Sequence, residues 1–145
     1  MDKHKREKLQ ELIIKNKIQL KQKYLLDNEL FQDCLKNLRD AEIIEENVKM
    51  ENLVDLMESR FNIKYHHVDG SYEISINELL LNSEQKYYII WDDADIPILK
   101  CSGANILQCL EDVFAVSFDT YIVSENFKEI IHCDESDRLW RYIDI

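Results

Sequence analysis

The spacing of apolar residues changes at Asn62, and this change sets the fold class. Before Asn62, apolar residues recur every three or four positions, which is the period of an amphipathic helix. After it, short runs rich in β-branched and aromatic residues alternate with polar turns, which is typical of strands. The sequence therefore predicts an α+β fold. A helical N-terminal half packs on a mostly antiparallel sheet, with one helix between strands.

Three helices are predicted in the first 61 residues. They cover residues 4–26, residues 29–39, and a third segment that Asp40 caps and that ends near Phe61. The third helix has an apolar face made of Ile43, Ile44, Val48, Met50, Leu53, Val54 and Met57. The chain has only two glycines and one proline in 145 residues, so few positions interrupt such helices. We expect a single domain over residues 1–145, mainly helical over 1–61 and mainly strands over 62–145.

The first strands predicted after Asn62 form a hairpin. Residues 63–68 suit a strand, Asp69-Gly70 is a turn signal, and residues 72–76 can pair back. Ser75 and Glu78 also fit the capping box of a short helix, because they precede an apolar run at the required spacing. The sequence of residues 76–81 is compatible with either a strand or a short helix.

The rest of the chain contains four clearer strands and one helix. Residues 86–91 are a strand, which residues 97–99 can resume as an edge segment. Ser102 can cap a helix over residues 103–114. The last three strands are expected at residues 118–124, 127–133 and 138–143, joined by hairpin-like turns.

The net charge of -11 restricts the partners of the chain. Residues 28–145 carry ten Lys and Arg against twenty-five Asp and Glu, a balance that repels nucleic acid and anionic membranes and attracts basic partners. Solubility alone is the alternative explanation. The eight basic residues of positions 1–27 alternate with glutamates at helical spacing, as on an ordinary solvated face. No run reaches the roughly 20 apolar residues of a membrane helix, and the N-terminus is too charged for a signal peptide. We expect a cytoplasmic protein.

Metal, cofactor and nucleotide sites have little support in the sequence. His66 and His67 are adjacent and point to opposite faces of a strand, and His132-Cys133 has the same defect. Each histidine is better interpreted as a strand residue with one polar contact. The cysteines lack CxxC spacing and are expected to be buried thiols; they are Cys34, Cys101, Cys109 and Cys133. Two glycines do not suffice for phosphate-binding loops, so we expect no cofactor.

Two acidic clusters are the candidate binding residues. Asp92, Asp93 and Asp95 follow a predicted strand, and Asp134, Glu135 and Asp137 lie in a predicted turn. Carboxylates in such positions can contact Lys and Arg of a partner, although a solvated acidic turn or a hard-cation site fits the same residues. Trp140 is a possible apolar anchor, because Trp is frequent at the centre of interfaces. We expect at least one of Trp91 and Trp140 to lie in the core.

The C-terminal strand pattern resembles that of a known group of proteins. Phe118, Tyr121, Ile122, Val123 and Ser124 are followed, after a short turn, by Phe127 and Ile130-Ile131. This pattern is similar to that of small bacterial immunity proteins, the cytoplasmic antidotes of contact-dependent inhibition and related polymorphic toxin systems. The resemblance implies a protein that is not an enzyme and that binds and neutralises a toxin domain, often a basic nuclease. Two alternatives remain: an acidic regulatory or adaptor protein that binds another basic protein, and a metal-dependent enzyme that uses Asp92, Asp93 and Asp95 with a histidine.

Overall fold

A seven-stranded antiparallel sheet forms the centre of the structure. The computed structural model describes residues 29–44, 47–64, 67–93 and 95–144. The described residues form nine strands: β1 (Glu42–Ile44), β2 (Ile63–Lys64), β3 (His67–Val68), β4 (Tyr72–Ile74), β5 (Lys86–Trp91), β6 (Ile98–Ser102), β7 (Thr120–Ser124), β8 (Glu129–Cys133) and β9 (Leu139–Ile143). The order across the sheet is β1-β6-β5-β7-β8-β9-β4, and β2 and β3 pair separately. Its helices are α1 (Glu29–Asn37), α2 (Asn47–Arg60), α3 (Gly103–Gln108) and α4 (Leu110–Ala115). The predicted α+β fold class is confirmed.

Both faces of the sheet are covered, because the central strands are apolar at successive positions. Side chains alternate along a strand, so Tyr87, Ile89 and Trp91 of β5 point to a first face, and Tyr88 and Ile90 point to a second face.

Different elements cover the two faces. On the first face lie α1, α3 and α4, which contribute Phe31, Ile106 and Val113 to the core. On the second face lie α2 and the β2–β3 hairpin, which contribute Phe61 and Val68. The sheet is thus the middle of three layers.

The helix predicted from Asp40 is wrong at its start. Residues 42–44 form β1, which pairs with β6, and the helix begins at Asn47. The Asp40 carboxylate accepts hydrogen bonds from Asn105 Nδ2 at 2.6 Å, Cys101 Sγ at 2.8 Å and Lys86 Nζ at 3.0 Å. These partners hold Asp40 against β6 and α3, so it does not cap a helix, and the β-branched residues after it extend the sheet.

The hairpin predicted for residues 63–76 is also different from the observed structure. Within the described part of residues 63–68, β2 and β3 pair with each other. The turn at Asp69-Gly70 is confirmed, with Gly70 at a φ of +82°. Strand β4 pairs with β9, not with residues 63–68, because this pairing buries Ile74 opposite Leu139.

Strand β6 is not an edge segment as predicted, since β1 covers its outer side. The strand predicted at residues 86–91 is confirmed, and the last three predicted strands are confirmed with shorter bounds. Residues 76–78 form one 3₁₀ turn, in which the Ser75 N–H donates to the Glu78 carboxylate at 2.9 Å. The helix predicted at residues 103–114 is divided into α3 and α4 at Cys109, and Ser102 caps α3 as predicted, accepting from the Asn105 N–H. The predicted helix over residues 4–26 lies outside the described residues.

Gly103 is required by a close approach of two backbone segments. A Cβ at this position would lie 2.3 Å from the carbonyl oxygen of Asn82 and 3.0 Å from the Tyr87 ring. The Gly103 N–H also donates to the Gln85 carbonyl at 2.9 Å. The loop before β5 therefore rests directly on the start of α3.

We predict that Gly103→Ala lowers the free energy of unfolding by about 2 to 3 kcal/mol, because the backbone around Asn82 must shift. Urea unfolding followed by circular dichroism measures this change. Gln108→Ala, at an exposed position of the same helix, is the control and should stay within about 0.5 kcal/mol of the wild type. An equal effect of both substitutions would contradict the close approach.

Candidate functional site

The register of the sheet brings the two predicted acidic clusters to one end. Thr120 of β7 lies opposite both Trp91 of β5 and Cys133 of β8. Asp92 and Asp134 are one residue beyond Trp91 and Cys133, so they emerge at the same end of the sheet, two strands or about 10 Å apart. We call this region the acidic end; its carboxylates are Asp92, Asp93, Asp95, Asp119, Asp134, Glu135 and Asp137.

The acidic end carries a strong local charge. Within the described connecting segments that form it, seven carboxylates stand against one cation, Arg138. Asp95, Glu135 and Asp137 are exposed to solvent, and Asp93 is half-buried. Clustered charge of one sign produces a potential that attracts cations over a distance of about one Debye length, roughly 8 Å at physiological salt.

The turn after β5 holds its carboxylates close together. The Asp92 carboxylate accepts a short hydrogen bond from the Ser117 hydroxyl, and its backbone N–H donates to the Asp119 carbonyl at 3.1 Å. Asp93 Oδ1 accepts from the Asp95 N–H at 2.9 Å. Partial removal from water raises the pKa of Asp92, and the charge of Asp119 raises it further, against the opposing hydrogen bond from Ser117. Partial removal from water also raises the pKa of Asp93. The negative charges of Asp95 and Asp92 raise it further, against the opposing hydrogen bond from the Asp95 N–H.

Asp134 is occupied by the turn that it begins. Its Oδ1 accepts from the backbone N–H groups of Ser136 and Arg138 at 2.9 and 3.0 Å, and its Oδ2 accepts from the Trp140 indole at 3.0 Å. Partial burial opposes its ionisation, but the hydrogen bonds from Trp140, Arg138 and Ser136 lower the pKa of Asp134 overall. Asp137 has a φ of +61°, which this tight turn imposes. The turn therefore presents Glu135 and Asp137 outward, while Asp134 and half-buried Trp140 are bonded to each other.

Beneath the acidic end lies a buried pair that sequence reasoning did not find. His132 Nε2 shares a hydrogen bond with Asp119 Oδ1 at 2.8 Å, and the imidazole stacks on the Tyr121 ring with centroids 4.4 Å apart. The His132 side chain is 2% exposed, and its Nδ1 has no hydrogen-bond partner within the described residues. The prediction of a strand histidine with one polar contact is confirmed for His132. The pair depends on the pairing of β7 with β8, which places His132 opposite Tyr121. The sequence does not show this register directly.

The two tryptophans lie in different environments, Trp91 in the core and Trp140 beside the acidic end. Trp91 is buried on the first face, donates from Nε1 to the Val113 carbonyl at 2.9 Å and meets the Phe31 ring edge-on at 5.8 Å. The expectation that at least one tryptophan lies in the core is confirmed. Trp140 is half-buried on β9 next to the acidic end.

The thiols are packed rather than exposed. Cys34, Cys101 and Cys133 are buried, as predicted, while Cys109 is half-buried, and all four are free. Burial raises the pKa of the Cys133 thiol to about 12, which keeps it protonated and unreactive at neutral pH. Within the described residues, no group of three or more His, Cys, Asp or Glu side chains could hold a metal ion. The helices of the described part also include none that could span a membrane.

A protein-family model matches residues 28–139, and its description is "CdiI immunity protein EcoliA0-like". The chain belongs to the CdiI immunity protein family. The match covers more than three quarters of the sequence, including α1, strands β1 to β8 and both acidic clusters. It confirms the family that the strand pattern around Tyr121 and Phe127 resembles. No curated protein matches the chain. As an immunity protein, the chain is an antitoxin that binds a cognate toxin protein.

We predict that Asp134→Ala lowers the free energy of unfolding by about 2 kcal/mol, because three donors lose a charged acceptor. Glu135→Ala removes an exposed carboxylate from the same turn and should cost less than about 0.5 kcal/mol. Because the folded-state pKa of Asp134 is lowered, its contribution is full above the ordinary Asp pKa of 3.8 and is lost as the pH falls through the folded-state value. Chemical unfolding of both variants at pH 7 and pH 3 measures the free energy of unfolding. An equal decrease in the two variants would contradict the role of Asp134 in holding the turn.

Proposed function

We propose that this immunity protein neutralises a basic toxin domain, a nuclease, by covering its nucleic-acid-binding surface with the acidic end. The protein acts in the cytoplasm by binding and without catalysis, and it needs no cofactor. The observation that supports this function is the register around Thr120, which turns two acidic clusters, separate in sequence, into one surface. A nuclease must present cations to phosphate, so a surface of carboxylates is complementary to it.

Electrostatic attraction makes the association of such an antidote with its toxin fast. Residues 28–145 carry fifteen more acidic than basic residues, and part of this excess is concentrated at one end of the sheet. Opposite charges on two partners raise association rate constants to about 10⁸–10⁹ M⁻¹s⁻¹ at low salt. Fast association limits the time during which free toxin can act on its substrate.

The residues of the acidic end have different roles in this proposal. Asp92, Asp93, Asp95, Glu135 and Asp137 contact Lys and Arg side chains of the toxin. Asp134 acts mainly by holding the turn, because its oxygens already accept three hydrogen bonds, and Trp140 adds apolar contact area beside it.

The raised pKa values of Asp92 and Asp93 support their place at the contact. Each carboxylate is partly withdrawn from water next to other carboxylates, so its charge is under-stabilised in the free protein. A guanidinium or ammonium group of the toxin would remove this penalty. The free energy of binding would then include the relief of repulsion within the acidic end.

We predict that the triple variant Asp93→Asn, Asp95→Lys, Glu135→Lys binds the toxin about 100-fold more weakly at low salt, with a smaller difference at 0.5 M salt. Asn at position 93 keeps an acceptor for the Asp95 N–H, and Asp134 is left intact so that the turn is preserved. The probe is the isolated cognate toxin domain, and titration calorimetry gives the dissociation constant.

The control is the double variant Glu51→Lys, Asp55→Lys on the exposed side of α2, which also reverses two charges. It should bind within about threefold of the wild type. A parallel assay should show that the wild type blocks the nuclease activity at a one-to-one ratio. If the triple variant and the control bind equally, the acidic end is not the contact surface.

We predict that binding weakens as the pH is lowered from neutrality towards the ordinary Asp pKa of 3.8. A cationic partner binds the ionised carboxylates, and the free protein takes up protons at Asp92 and Asp93 above the ordinary Asp pKa of 3.8. The double variant Asp92→Asn, Asp93→Asn should lose part of this pH dependence, whereas Glu51→Gln should keep it. Calorimetric titrations at four pH values compare the slopes, and identical slopes would contradict the role of the pair.

A further inference from the structure

A cleft of about 670 Å³ lies beside the acidic end, on the first face of the sheet. Ile74 of β4, Leu139 of β9 and Phe114 of α4 form its apolar part, and Ile76 of the 3₁₀ turn stands at its rim. A volume of this size is within the range of about 300–1,000 Å³ that binding pockets have.

The cleft presents one strongly exposed apolar side chain, that of Ile76, to solvent. Among the described residues, five large hydrophobic side chains are strongly exposed. Ile76 (54%) lines the cleft and Tyr72 (51%) lies on β4, whereas Leu80 (68%) and Ile143 (42%) line a separate depression near the start of β8, and Leu56 (51%) lies on α2. Ile76 closely follows β4, which is an edge strand of the sheet. An apolar cleft with an exposed apolar side chain and a polar rim is typical of interaction surfaces.

The rim of the cleft is acidic. Glu73, Glu111 and Asp137 line it, and the cation among the described lining residues is Arg138, whose Nε lies 4.0 Å from Glu73 Oε1. The local balance is therefore two negative charges. Asp137 and Arg138 also belong to the turn of the acidic end, so one partner can cover both surfaces without a gap.

We propose that this cleft is the apolar anchor site for the toxin: it takes an aliphatic side chain that has a Lys or Arg beside it. Ile76 and Phe114 provide the apolar contact, and Glu111 provides the contact to the cation. This inference rests on the proposed function and adds to it a second, chemically different subsite outside the acidic end. A buried apolar anchor slows dissociation, whereas exposed charges mainly speed association.

A test of the apolar contact compares two truncations that leave the net charge unchanged. Ile76→Ser removes the exposed side chain at the cleft, and Leu56→Ser removes a side chain of matching exposure, 51% against 54%, on α2. With the isolated cognate toxin domain as the probe, surface plasmon resonance should give about tenfold weaker binding for Ile76→Ser, mainly through faster dissociation. Leu56→Ser should stay within twofold of the wild type.

A test of the rim compares Glu111→Lys with Glu51→Lys, two exposed glutamates on different helices. Glu111→Lys should weaken binding several-fold at low salt and Glu51→Lys should not. If Ile76→Ser and Leu56→Ser bind alike, the cleft is not an anchor. A wild-type dimer that Ile76→Ser converts to a monomer, with toxin affinity unchanged, would assign the cleft to a second copy of this chain and overturn the inference.

The failure of this inference is distinguishable from failure of the proposed function. If the triple variant of the acidic end weakens binding but Ile76→Ser does not, only the anchor is wrong. If the wild type binds no toxin, both are wrong.

Discussion

The pairing of β5, β7 and β8 around Thr120 determines where the two acidic clusters lie. Because side chains alternate along a strand, a slip of one residue would turn His132 and Tyr121 to the other face and separate Asp119 from His132. The apolar residues of both faces fix the register, since a slip would expose them on the wrong side. The acidic end is thus a consequence of core packing on both faces of the sheet.

The carboxylates at this end are not equivalent, and their hydrogen bonds separate them by role. Asp119 is turned inward to His132, and Asp134 is held by its own turn. These two stabilise the end of the sheet. Asp92 and Asp93 have raised pKa values because they are partly withdrawn from water among other acidic groups, so their ionised forms are less stable than those of free carboxylates. In the proposed complex, a basic partner would relieve the repulsion between these carboxylates.

The sequence predicted the elements with strong periodicity and missed those that depend on distant partners. Helix α1, strand β5 and the last three strands follow directly from their apolar patterns. Strand β1 was predicted as helix because Ile43 and Ile44 fit both periods, and only the contacts of Asp40 with β6 and α3 decide between them. For the site, the two acidic clusters were visible as residue runs. Their meeting at one end, and the buried partner of His132, depend on strand order, which local patterns do not encode.

The most direct test of this account is amide hydrogen exchange of the immunity protein with and without its toxin domain. Toxin binding at the acidic end and the cleft should slow exchange at residues 92–97, 134–138 and 75–79, with little change in α2 and the β2–β3 hairpin. Protection of α2 and the hairpin, with the acidic end unchanged, would show that the acidic end is not the contact surface and would place the toxin on the second face of the sheet.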